Sequence, residues 1–218
     1  MALYFMIWDA ATFEGLVRPT LAECWRRRSF AAAVELCNRL RPAMMTFGEH
    51  YRVAVETSIL AQVVAGLRFD HARWRALVGE ILFFGARDIP EILTSPETLR
   101  CLLAPTAPPD GPRNEFAPIQ QAHFGSRDLV FGGAIYRPEH AGWNDPTDVR
   151  RLADYLASVD PQSWSPDDLL SLPCLAGPEE RADELALVRD WFPALADLYL
   201  QAARRGDVIV AEELASAG

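Results

Sequence analysis

Leu185–Ala211 reads LALVRDWFPALADLYLQAARRGDVIVA. Its large apolar residues Leu185, Val188, Phe192, Leu195 and Tyr199 step by three, four, three and four, which sets them on one face of a helix. Trp191 and Leu198 widen the stripe. Gly206 suits the left-handed residue that closes a helix, and Val208–Ala211 (VIVA) then reads as a buried strand. Pro193 lies inside the periodic run, so the sequence predicts a kink there or a new helix starting near Asp190. The strand needs a partner, and Leu3–Trp8 (LYFMIW) is a second short apolar, aromatic run. Pairing the two gives the expected fold class: α+β, mostly helical, with a small sheet that includes the N-terminal and C-terminal strands.

The segments between them are mainly helical in pattern. Ala10–Val17 reads as a short helix broken by Pro19, with another turn of helix over Leu21–Arg28. Ser29 is suited to cap Phe30–Leu40, which Pro42 is expected to stop. Tyr51–Leu67 carries Val55, Ile59, Val63 and Leu67 at helical spacing. Asp70 caps a further helix striped by Trp74, Leu77, Val78, Ile81 and Leu82, and Asp88–Pro90 interrupts the pattern. Thr94 and Glu97 stand at capping-box spacing before a helix over Glu97–Ala104. Pro105–Pro118 holds five prolines in fourteen residues and reads as a surface connection with no regular element. A single domain over residues 1–218 is expected, with 105–118 the place where two lobes would divide.

Beyond that stretch, Ile119–Phe124 reads as a helical turn and Leu129–Tyr136 as extended chain broken by Gly132-Gly133. That pair permits a bulge, or a close approach of the backbone to another element. Asp145-Pro146-Thr147-Asp148 starts a helix bearing Val149, Leu152, Leu156 and Val159, and Ser165-Pro166 starts a shorter one.

Composition excludes several functions. All 21 basic residues are arginine. A Walker A loop, a pyridoxal Schiff base and a kinase strand lysine each need an amine that this chain lacks. No GxGxxG follows a strand and no GxSxG turn occurs, so no cofactor is expected and no hydrolase elbow is present. The net charge of −9 opposes binding to nucleic acid and to anionic membranes. The charge is also uneven: residues 1–75 hold ten Arg against seven acids, and residues 145–218 hold six Arg against fifteen. RRR at Arg26–Arg28 reads as a solvated helix face. Cys24, Cys37, Cys101 and Cys174 are widely spaced, with no CxxC and no secretory signal, which points to free thiols in a reducing cytoplasm. The first three fall in helical patterns, where a free cysteine packs as a small core residue.

Two stretches together, GGAIYRPEHAGWNDPTDVRRLADYLASVD from Gly132 and WFPALADLYLQAARRGDVIV from Trp191, resemble the YfbM-like bacterial family of unknown function. The likeness lies in the Gly-Gly segment, the acidic-capped helix and the closing signature Phe192, Leu195, Tyr199, Ala202 and Gly206. It covers roughly residues 129–211, with a weaker match at the start, and leaves 18–128 unmatched. It implies an α+β fold with both terminal strands in one sheet, and no chemistry.

The candidate site is Gln120–Trp143 (QQAHFGSRDLVFGGAIYRPEHAGW), which crowds His123, Ser126, Arg127, Asp128, Tyr136, Arg137, Glu139 and His140 around the Gly-Gly pair. Read as a site, Arg127 and Arg137 clamp a small anionic or polar ligand while His123 or His140 moves a proton. Read as structure, Arg127 pairs with Asp128 or another acid, Arg137 with Glu139, and the histidines satisfy backbone groups. His123, Glu139 and His140 carry metal-ligating atoms, but no HxxxH, HxxE or HxH spacing gathers them, and no metal is expected. His50 beside Glu49 and His71 near Asp70 read as surface or cap residues. Trp143, Trp164 and Trp191 read as packing near helix starts and the proline. Two functions follow from these residues. One is a non-catalytic cytoplasmic interaction protein whose acidic face meets a protein partner, or a homodimer. The other is an enzyme of unrecognised class acting on a small polar or anionic substrate through 120–143.

Overall fold

A computed structural model of the chain describes residues 2–51, 66–92, 94–108, 111–175 and 177–214. Most of the helix expected over Tyr51–Leu67 lies outside these residues.

The terminal strands do pair. Strand β1 (Ala2–Trp8) runs antiparallel to β6 (Val208–Leu214), with Phe5 opposite Ala211 and Ile7 opposite Ile209. On the far side of β6 lies β5 (Ala141–Asn144), followed by the two-residue β2 (Arg127–Asp128), so the sheet order is β1-β6-β5-β2. A separate hairpin joins β3 (Val130–Phe131) to β4 (Ala134–Ile135) through Gly132-Gly133.

Successive residues of a strand point to opposite faces. Met6, Trp8, Val208 and Val210 therefore enter one core, and Phe5, Ile7, Ile209 and Ala211 enter another. The first core belongs to the N-terminal helices: α1 (Ala10–Thr12, a π-turn over Phe13–Val17, then Arg18–Arg27), α2 (Ala31–Tyr51) and α3 (His71–Phe84). The second belongs to α4 (Pro96–Leu103), α5 (Pro118–Phe124), α6 (Pro146–Ala157) and α7 (Pro178–Arg205). Both strands read as unbroken apolar runs because helices cover both faces of the sheet.

Pro19 and Pro42 behave differently from expectation, and at Pro193 one of two expectations drops out. Pro19 does not break α1. The π-turn ahead of it bonds the Arg18 amide to the Phe13 carbonyl, and Pro19 then falls in the first turn of the next α segment, where its missing N–H goes unnoticed. Pro42 does not stop α2 either. Leu36, Leu40 and Met44 are buried along one face on both sides of it. Each large side chain so buried contributes about 1.5–3 kcal/mol, which together outweigh the ~3 kcal/mol a mid-helix proline costs. At Pro193 no new helix begins: α7 runs unbroken, held by Phe192 and Leu195 on either side of the ring.

The caps also sharpen the sequence reading. Ser95, not Thr94, caps α4 by accepting from the Thr98 amide, and Thr94 is directed to His123 instead. Asp70 and Asp145 cap α3 and α6 as expected. The proline-rich stretch contains a 3-10 turn (Arg113–Glu115), where no regular element was expected. Gly132, at φ +62°, lies against α1 so closely that a Cβ would meet the Ala22 carbonyl oxygen at 2.5 Å, the close approach its sequence suggested.

Gly206 ends α7 in the left-handed region, at φ +69°, with open space where a Cβ would stand. Its replacement by alanine therefore strains only the backbone. Gly206→Ala is expected to lower the unfolding free energy by about 1 kcal/mol in a urea titration. No loss at all would show that this cap is not held in the left-handed region.

Candidate functional site

The polar residues of 120–143 do not share one cleft. They are distributed by the strands that carry them into three places.

His123 is in the interior. It is fully buried on α5, with Nδ1 3.0 Å from the Ile119 carbonyl and Nε2 2.6 Å from the Thr94 hydroxyl. The carbonyl can only accept, so Nδ1 carries the proton and Nε2 accepts from Thr94. Burial pushes the imidazole pKa down to about 4. This is the structural reading of the residue, a neutral histidine satisfying a backbone group.

Ser126 and Arg127 join the first turn of α6. The Ser126 hydroxyl donates to Asp148 at 2.6 Å. Arg127 bonds Asp148 at 3.0 Å and Asp145 at 2.6 Å, and Arg151 reaches Asp148 at 3.3 Å. Burial alone would raise the Asp148 pKa, but bonds from Ser126, Arg127 and Arg151 hold it below the usual carboxylate range. Arg127 thus pairs with acids on α6 rather than with its neighbour Asp128.

Asp128 is taken by a residue that sequence reasoning passed over. Arg113, only 7% exposed, donates from Nε to Asp128 at 2.8 Å and to the carbonyls of Phe124, Pro138 (2.7 Å) and Ala141 (2.8 Å). One guanidinium ties the proline-rich stretch to both ends of the 120–143 segment. Gly142 makes room for it, since a Cβ there would meet Arg113 NH1 at 2.7 Å.

Tyr136 and Arg137 lie on the other side, against β6. The Tyr136 hydroxyl donates to Glu212 Oε1 at 3.0 Å, and Arg137 NH1 donates to the same oxygen at 2.6 Å. Burial, then Glu212, raises the Tyr136 pKa, so the phenol stays protonated. Glu212 was legible in principle. It follows Val208 and Val210 on the buried face of a strand, where a carboxylate demands a donor. These three residues border a cleft of about 470 Å³ completed by α3 through Arg75, Ala76, Gly79, Glu80, Phe83 and Phe84.

Glu139 and His140 are exposed at the surface. His140 Nδ1 lies 3.5 Å from Glu213, and Arg137 pairs with Glu212, not Glu139. Among the described residues no three His, Cys, Asp or Glu side chains gather as a metal ion would need. Burial pushes the Cys24 thiol up to about 11 and the Cys37 thiol up to about 12, so neither is a nucleophile near neutrality. His71 packs on Trp25 and Trp74. Among the described residues no helix is long and apolar enough to cross a membrane.

No protein-family model, curated protein or solved structure matches this chain, and the likeness of residues 129–211 to the YfbM-like family rests on the quoted motifs alone.

Proposed function

We propose that the protein is a non-catalytic interaction protein whose acidic C-terminal face meets a basic surface on a protein partner. One contrast carries this reading: the polar side chains of 120–143 are largely committed to internal partners, whereas three aspartates of α7 are not. Asp183, Asp190 and Asp197 recur every seven residues and are all exposed, on one line along the outside of the helix with Leu187 and Ala194 between them. None of the three makes an ion pair among the described residues. Leu187 is 50% exposed, so the stripe offers an apolar contact flanked by charge. A line of exposed acids without ion pairs offers a negative face that a cationic partner complements. The stripe belongs to the acidic part of the chain, where residues 145–218 hold fifteen acids, these three among them, against six arginines.

The test is capture of partners from lysate at low and high salt, with wild type beside the triple variant Asp183→Asn, Asp190→Asn, Asp197→Asn. All three positions are solvent-facing, so the variant is expected to keep its Tm and to lose the salt-sensitive partner. Recovery of no salt-sensitive partner by the wild type, or equal recovery by both proteins, removes the acidic face as the binding surface.

A further inference from the structure

The cleft bordered by α3, by Tyr136 and Arg137 beyond β4, and by Glu212 of β6 shares no residue with the α7 stripe, and its chemistry is different. We infer that it binds a small organic acid, a carboxylate carried on an aryl or short alkyl body.

Its volume of about 470 Å³ is within the range of small-molecule sites. The apolar lining comes from Phe83 and Phe84, whose rings meet edge to face at 5.4 Å, and from Ala76 and Gly79. Phe83 is itself backed by Tyr4 of β1 at 6.0 Å. An aryl or alkyl body has a preformed surface to rest on.

Two guanidinium groups line the same space, Arg75 from α3 and Arg137 from the loop before β5. They differ in commitment. Arg137 is held by Glu212 through NH1, which fixes the group on a rigid strand and leaves its other donors uncommitted to that carboxylate. Arg75 is exposed and makes no ion pair among the described residues. Glu212 is held by Arg137 and accepts from the Tyr136 hydroxyl, and Glu80 in the same lining is not without a partner, so Arg75 is the charged group of the cleft with no ion pair among the described residues. A planar carboxylate matches the fork of an arginine.

The floor is built with little tolerance. Gly79 allows the Tyr136 hydroxyl to lie against α3, since a Cβ at that position would stand 2.6 Å from it. Tyr136, Glu212 and Arg137 are therefore in place before a ligand arrives, which limits the ordering that binding must impose.

The experiment uses the whole protein, with isothermal titration calorimetry and thermal shift. The probes are 3-phenylpropionate, its neutral amide and inorganic phosphate. The carboxylate is expected to saturate a single site and to raise Tm with concentration, the amide and phosphate to do neither. Arg75→Gln, at an exposed position, is expected to weaken 3-phenylpropionate at least about tenfold without moving the unliganded Tm. Ala76→Phe, also exposed, fills the cleft and is expected to abolish the saturable heat. No saturation by the carboxylate overturns the inference, as does unchanged affinity in both variants. Equal binding of the amide removes the role of the arginines, and equal binding of phosphate removes that of the apolar lining. Neither result would bear on the α7 stripe, which the lysate experiment tests separately.

Discussion

Arg113→Met is expected to lower the unfolding free energy by about 3–5 kcal/mol, the range found when one partner of a buried charged network is removed. Methionine roughly keeps the side chain's length and apolar stem but offers no donor. The carbonyls of Phe124, Pro138 and Ala141 would lose the guanidinium that now satisfies them, and a desolvated orphan carbonyl costs about 1–3 kcal/mol. The charge itself is held against its environment: burial lowers the Arg113 pKa, and Asp128 opposes that shift. Arg113→Lys is expected to recover little, because an ammonium cannot present the planar fork that reaches three carbonyls and a carboxylate together. Urea titration of both variants checks this. A midpoint for Arg113→Met within experimental error of wild type would show that the proline-rich stretch is not anchored through this residue.

Acid is expected to erode the stability of the wild type more steeply than that of a variant lacking His123. The imidazole titrates near 6.5 when unfolded and near 4 when folded, because burial disfavours its charged form. Above pH 6.5 both states are neutral and this contribution is complete. Between pH 6.5 and 4 the unfolded chain binds a proton that the folded one refuses, so stability falls as pH falls. The full span corresponds to roughly 3 kcal/mol, with about 2 kcal/mol gone by pH 5. His123→Gln keeps an uncharged polar group there and should be less stable at pH 7, yet show a shallower decline between pH 7 and 4.5. The difference between the two stability curves isolates the histidine from the carboxylates that titrate lower. Parallel curves would mean that the ring is protonated in the folded state as readily as outside it.

The elements that could be read from sequence are those whose apolar pattern and caps agree. Leu3–Trp8 and Val208–Ala211 are short, β-branched or aromatic and bounded by an acid or a glycine, and they pair as expected. Asp70 and Asp145 announce helices that do begin there. Pro42 misled for one physical reason. Its penalty is local and visible, while the burial that offsets it is spread over Leu36, Leu40 and Met44 and depends on partners far along the chain. The 120–143 cluster misled for another. Nearness in sequence suggested nearness in space, but β2 and β5 and the hairpin between them send His123 inward, Arg127 to α6 and Arg137 to β6. The residues that answer them, Arg113, Asp148 and Glu212, were ordinary charges when read singly. Only Glu212 carried a signal, in its alternation with Val208 and Val210.

The register that places Ala2 opposite Leu214 has a consequence for synthesis on the ribosome. Val208 and Val210 belong to the same core as α1, α2 and α3, and they are translated long after those helices. Helices α1, α2 and α3 must therefore emerge with an apolar flank uncovered and wait until β6 has been made before it can be sealed. Such distant closure slows folding and leaves the nascent chain dependent on whatever shields that flank in the interval.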